Sequence, residues 1–137
     1  MTTSFTTNIV YHVAPLVSNT DLNQLFSAAW VDHTETDFVS QLRHSLTYVC
    51  AYKDDHLVGF INVAWDGGIH AFLLDTTVHP ASQRHGIGQE LVKHAAQVVA
   101  ARGIEWLHVD YEEHLEVFYR GCGFIPTLAG LMRLQSK

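Results

Sequence analysis

Only two cysteines occur in the 137 residues, Cys50 and Cys122. They stand far apart and match no metal-ligand or redox spacing, so reduced thiols in a cytoplasmic setting are expected. Charge is sparse as well. Asp, Glu, Lys and Arg make up 16% of the chain, with 8 basic residues against 14 acidic and a formal net charge of −6. That balance argues against a nucleic-acid partner, which calls for a basic face. No apolar run approaches the ~18 residues that a membrane-crossing helix needs. Met1 to Asn8 is Thr-rich, with neither a basic cluster nor an apolar centre, so neither a secretory signal nor a membrane partner is expected. The ten histidines are scattered, with no His-Glu-x-x-His and no close Cys/His cluster, so no metal is expected.

What remains is an ordinary globular composition, 47% apolar. Without repeats, low-complexity tracts or linkers, it predicts a single domain over residues 1–137 with a core of its own. Asn8 to Val13 alternates like a strand. Ser18 to Trp30 reads as a helix, with caps between Ser18 and Asp21 and Leu22, Leu25, Phe26 and Ala29 at helical spacing. A second short helix carries Phe38, Val39 and Leu42, with Thr34 or Thr36 as its cap. Leu46 to Tyr52 and Leu57 to Trp65 form a hairpin around Lys53 to His56. A turn at Asp66-Gly67-Gly68 leads into a strand from Ile69 to Val78. Gln89 to Arg102 is helical, with Ile87, Leu91, Ala95 and Val99 on one stripe. Trp106 to Tyr111 is a strand and Glu113 to Gly121 a short helix, followed by β segments at Phe124-Ile125 and Leu131 to Leu134. This order predicts an α/β or α+β fold with a mixed sheet.

The most informative stretch is Gln83-Arg84-His85-Gly86-Ile87-Gly88. A strand closed by His79-Pro80 feeds it, a helix leaves it, and it contains no carboxylate. Free N–H groups at a helix start attract anions, and glycines let a phosphate approach. An acidic protein cannot hold phosphates by its overall field, so backbone donors and Arg84 must supply the attraction locally. The dinucleotide fingerprint fails because Leu91 stands where its third glycine belongs, and the nucleotide P-loop fails for want of Gly-Lys-Ser/Thr. A plain strand-to-helix turn is the alternative. Further on, Phe118 and Tyr119 lie on a short helix that ends at glycines; alone, Tyr119 reads more readily as a core tyrosine with a satisfied hydroxyl than as a catalyst.

Together these stretches resemble the GNAT superfamily of acyl-CoA-dependent N-acyltransferases. The motif Arg/Gln-x-x-Gly-x-Gly/Ala is similar to Gln83, Gly86 and Gly88, and Val-x-Pro to Val78-His79-Pro80. Phe-Tyr-x-x-x-Gly-Phe is similar to Phe118-Tyr119 and Gly123-Phe124. The resemblance implies a GNAT-like fold, a twisted mixed sheet flanked by helices, with acetyl-CoA as cosubstrate. It implies that Gln83, Arg84, His85, Gly86, Ile87 and Gly88 hold the pyrophosphate and that Thr76, Thr77 and Val78 pair with the pantetheine arm. A backbone N–H at a bulge in that strand would polarise the thioester carbonyl. Tyr119 is implied as the general acid for the departing thiolate.

The general base is less well marked. Asp75 is the only carboxylate between Ile69 and Val78. It either touches substrate or a substrate-bound water or, sharing a face with Leu73 and Thr77 by alternation, braces a neighbouring element. Some relatives carry Glu where Leu74 stands here. His70, His108, Asp110 and Glu112 are further candidates, with His108 and Asp110 on one strand face. Many relatives also have an arm-contacting Asn where this chain reads Asp110 to His114. Trp30, His33, Trp65 and Asp66 either line an acceptor pocket or serve packing and turns. Cys122 is expected to pack, not to act as nucleophile. The implied activity is acetyl transfer to a primary amine of a small-molecule acceptor; the acidity fits a cationic acceptor weakly and plain solubility better. The alternatives are an acyl-CoA-sensing module of the same fold and a nucleotide-binding protein using the same turn. The chain is expected as a monomer or homodimer, with Leu131 to Leu134 available to pair between subunits.

Overall fold

The computed structural model describes residues 8–136. Five strands, β1 (Ile9–Val13), β2 (Thr47–Lys53), β3 (His56–Trp65), β4 (His70–Val78) and β5 (Trp106–His108), form one sheet in that order. The first four are antiparallel and β5 runs parallel to β4, so the sheet is mixed, as expected. Helices α1 (Asn19–Ala29) and α2 (Phe38–Leu42) lie on one face, and α3 (Ile87–Ala101) and α4 (Glu116–Gly121) on the other.

Two apolar clusters follow from strand alternation. Val49, Ala51, Ile61, Val63, Ala71 and Leu73 meet α3, while Cys50 and Phe60 point the other way to Leu22, Leu25, Phe26 and Phe38. The Ser18 hydroxyl accepts the Asp21 N–H at 3.0 Å and starts α1. Asp37, not Thr34 or Thr36, caps α2 by accepting the Ser40 N–H at 3.2 Å. The hairpin between β2 and β3 turns on Asp54 and Asp55, both left-handed at φ 49° and 64°, the pairing that two-residue hairpin turns prefer.

Helix α3 buries Ile87, Leu91, Val92, Ala95 and Val99, the stripe expected from the sequence. Its first turn lies directly on β3 at Gly59. A Cβ there would come within 3.0 Å of Ile87 Cγ2 and 3.1 Å of both Ala51 Cβ and Leu91 Cδ1. The missing side chain therefore sets how closely the start of α3 approaches the sheet.

Two strand expectations fail. β5 ends at His108 instead of Tyr111; Val109 and Tyr111 still pack against the α3-side core, but the backbone leaves β4. Phe124-Ile125 and Leu131 to Leu134 form no strand. Their residues have β propensity, but propensity expresses itself only against a partner strand, and none of the five strands pairs with them.

Candidate functional site

β4 carries an extra residue. Asn62 pairs with Leu74 and Phe60 with Thr77, so Ile61 alone faces both Asp75 and Thr76. This is a β-bulge, and Asp75 takes a left-handed φ of 58° within it. The alternation that would place Asp75 and Thr77 beside Leu73 is thereby broken. Leu73 packs in the α3-side core, whereas the Thr77 hydroxyl accepts Trp30 Nε1–H at 3.1 Å from the end of α1 and donates to the Asp75 carbonyl at 2.9 Å. From the opposite face, Tyr119 on α4 reaches the Thr76 hydroxyl at 3.4 Å. The bulge is braced from both sides.

Beside the bulge the sheet parts. β5 pairs with β4 only through His70, Ala71 and Phe72. From Leu73 to Val78 the β5-side edge of β4 has no strand partner among the described residues. The result is a slot whose one wall is an open strand edge, able to hydrogen-bond an extended chain.

The upper end of the slot is the turn at Gln83 to Gly88. Arg84 (φ 68°) and Gly86 (φ 75°) are both left-handed, a geometry that turns successive amides toward one side. Gly86 is the N-cap of α3 and no side chain caps the helix; within the helix, bonding resumes with Glu90 N–H to Gly86 O at 3.1 Å. The preceding amides of the first turn are free donors. The two glycines serve different ends. A Cβ on Gly86 would meet nothing within 4 Å, so the space over the loop is open. A Cβ on Gly88 would stand 3.2 Å from Phe118 Cζ, so that glycine lets α4 close on α3. Gln83 Nε2 donates to the Val78 carbonyl at 3.3 Å, tying turn to strand. No acidic residue occurs from Thr76 to Gln89.

Tyr119 is 6% exposed, stacked on Tyr111 at 4.9 Å and edge-on to Phe118 and Phe124. Burial raises its pKa above the usual phenol value, with the Thr76 contact acting weakly against that. The hydroxyl is therefore protonated at neutral pH, and its 3.4 Å contact is too long to hold the proton firmly. Asp75 is exposed at the bulge, yet surrounding protein withdraws enough water to raise its pKa above the usual carboxylate range.

The other sequence candidates scatter. His70 lies five positions before Asp75, its Nδ1 2.7 Å from His108 Nε2, and His108 also stacks on Phe72 at 4.7 Å. Asp110 lies beyond the end of β5, so it shares no strand face with His108. Glu112 is 3.5 Å from His114 on the surface. His33 Nε2 contacts Asn23 Oδ1 at 2.8 Å and the ring stacks near Phe38. Trp65 donates to Gly68 O under the Arg102 guanidinium, and Asp66 accepts the Gly68 and His70 N–H groups. Of the four proposed pocket residues, Trp30 alone contacts the bulge. Cys122 packs against the core and burial raises its thiol pKa.

Sequence reasoning missed Gly59 and the Trp30–Thr77 contact. Gly59 carried a faint signal, a lone glycine inside an apolar strand; a contact between Trp30 and Thr77 carries none in sequence. A cavity of about 440 Å³ lies beside His79 and Ser82, but Asp21, Asp54 and Asp55 line it against Lys53, a poor setting for phosphate. Among the described residues, no group of three or more His, Cys, Asp or Glu could hold a metal ion.

Comparison with known proteins identifies the fold. The chain matches the Acetyltransferase (GNAT) family over residues 19–124. It is 28% identical over 116 residues, 81% of this chain, to an uncharacterized N-acetyltransferase ycf52 of Porphyra purpurea. The match spans 67% of that protein's length, and 61% of a ycf52-like relative from Prochlorococcus marinus. Among solved structures, a GNAT family acetyltransferase from Streptococcus pneumoniae TIGR4 superposes with a TM-score of 0.79 at 28% identity, covering 95% of this chain and 100% of that one. The aminoglycoside N-acetyltransferase AAC(6')-Iy, solved with CoA, gives 0.75 at 14% identity over 93% and 95% of the two chains, a likeness of fold. The chain belongs to the GNAT family of acetyltransferases. Its class is that of an acyltransferase.

Proposed function

We propose that the protein transfers an acetyl group from acetyl-CoA to a primary amine of a small acceptor, by direct attack in a ternary complex. The observation that carries this reading is the junction of three features: the bulge at Asp75–Thr76, the uncapped turn above it and the Tyr119 hydroxyl beside it. Gln83 to Gly88 would hold the pyrophosphate through main-chain amides, assisted by Arg84. The open edge at Thr76 to Val78 would pair with the pantetheine arm and leave a bulge N–H for the thioester carbonyl. AAC(6')-Iy, of the same fold, was solved with CoA, which supports this assignment of the cosubstrate.

Proton flow follows from ordinary acidities. An alkyl ammonium with a pKa of about 10 must lose a proton before it attacks, and Asp75 accepts it, directly or through a bound water. The C–S bond breaks as the C–N bond forms, and the thiolate, with a pKa of about 8.5, takes the Tyr119 proton. The second proton of the acylated nitrogen passes to the phenolate so formed, directly or through water, while Asp75 returns its proton to solvent. The thioester is already activated, so no covalent enzyme intermediate is needed. The acceptor enters from the α1 side, past Trp30.

The test is Tyr119→Phe. Turnover, followed as thiol release with a panel of amines, should fall about 10²-fold or more, with acetyl-CoA affinity little changed. A rate unaltered across pH removes Tyr119 from the mechanism. Leu74, apolar and exposed beside the bulge, supports a second reading in which the same site binds acyl-CoA as a sensor. That reading predicts tight binding with no thiol release from any amine.

A further inference from the structure

On the N-terminal side of the bulge, the α1-side face of β4 is apolar and partly bare. Ala71 and Leu73 enter the α3-side core, so by alternation Phe72 and Leu74 point to the other face, beside Ala64 and Asn62, their partners on β3. Helices α1 and α2 cover that face at Cys50 and Phe60 but leave Phe72 38% and Leu74 37% exposed. Trp30 stands at the bulge, its ring held by the Nε1–H donated to Thr77. At the far end, His108 stacks on Phe72 at 4.7 Å and its Nε2 lies 2.7 Å from His70 Nδ1. Leu74 and Phe72 thus floor a strip about 7 Å long, from the indole at the bulge to a pair of imidazoles.

Charge is scarce along this strip. β3, β4 and β5 contain one carboxylate between them, Asp75, and it stands at the bulge, where the reacting nitrogen must lie. The acids that flank these strands lie past their ends. Asp66 accepts the Gly68 and His70 N–H groups, and Asp110 follows β5. Asp21, Asp54 and Asp55 surround the cavity beside His79, past the other end of β4. One ammonium group can therefore meet a carboxylate. A second, carried along the strip, would lie on Phe72 and Leu74 and lose water without gaining a partner.

We infer that the acceptor is an arylalkylamine, a monoamine whose flat apolar body lies on Phe72 and Leu74 while its nitrogen reaches Asp75. This rests on the proposed acetyl transfer and specifies its second substrate. The strip opens directly into the slot, so its occupant is the molecule that meets the thioester. Apolar and aromatic walls with few polar groups are the lining that small ligands of this kind take. Ring contacts with Phe72 and Trp30 add to the area buried. A polyamine or an aminosugar offers no such body and carries several cations. The net charge of −6 does not describe the acceptor, because these three strands hold one of the 14 acids.

Thiol release from acetyl-CoA should show a kcat/KM about tenfold higher or more for 2-phenylethylamine than for spermidine. In Phe72→Ala, the ratio of kcat/KM for 2-phenylethylamine to that for ethylamine should fall about tenfold, mainly through KM. The ring is more than a third exposed, so circular dichroism of the variant should report an intact fold. A preference for spermidine, or a ratio unchanged in the folded variant, overturns the inference and leaves acetyl transfer standing. If no amine releases thiol, acetyl transfer fails and binding to the wild-type chain decides alone. In the presence of CoA, 2-phenylethylamine should shift the indole N–H resonance that Trp30→Phe abolishes, and spermidine should not. No shift with 2-phenylethylamine, or an equal one with spermidine, would overturn the assignment.

Discussion

Asp75 combines a left-handed backbone with a carboxyl partly stripped of water. Because its pKa is raised on folding, the folded chain binds this proton more tightly than the unfolded one. Its contribution to stability is therefore complete below the unfolded value of about 3.9 and is lost as pH rises through the folded value. At neutral pH the ionised carboxyl opposes folding. Asp75→Asn removes the charge and keeps a residue that tolerates positive φ. Its Tm at neutral pH should exceed wild type by about 1–3 °C, and calorimetry should show the gain vanishing at strongly acid pH. A gain of equal size at both pH values would mean that charge is not its cause. Gly86 behaves differently, since its position is open and only its conformation is demanding. Gly86→Trp should stay folded, while the ring over the loop removes charge-assisted amide contacts. A loss of about 3 kcal/mol, roughly a hundredfold in acetyl-CoA affinity by calorimetric titration, is expected. Equal, tight affinity in a folded variant would refute the cradle.

Helix α3 delivers its uncapped end to the site only because β3 presents no side chain beneath it. Gly59→Val would drive two methyls into Ile87, Ala51 and Leu91. Overpacking of this kind costs about 1–3 kcal/mol, measurable in urea, and should weaken coenzyme binding by displacing the first turn. Most elements were legible because period and punctuation agreed: Leu22, Leu25 and Phe26 at helical spacing, the turn between Lys53 and His56, the α3 stripe of Ile87, Leu91, Ala95 and Val99. The candidate turn was legible for the same reason, its glycines falling between a strand and a helix. The bulge was not. Alternation predicts side-chain direction only while a strand keeps its register, and the extra residue at Asp75 becomes visible only once Ile61 is seen opposite it. The early end of β5 and the unpaired tail escaped for a related reason, since pairing belongs to two segments and sequence pattern to one.

Taken as one body, the molecule is anionic, yet its turn from Thr76 to Gln89 is free of acid, so attraction for a phosphate is local and not a property of the whole surface. The irregularity in β4 lies where two braces meet. Excise Asp75, and Leu74 still opposes Asn62, Thr77 still opposes Phe60, and Thr76 alone would face Ile61 in an unbroken ladder. Such a shortened chain sheds a left-handed residue, worth about 1–2 kcal/mol, and a dehydrated charge. It should melt higher than its parent and release no thiol. Sturdiness and usefulness then pull in opposite directions on a single amino acid, and selection for heat resistance alone would erase it.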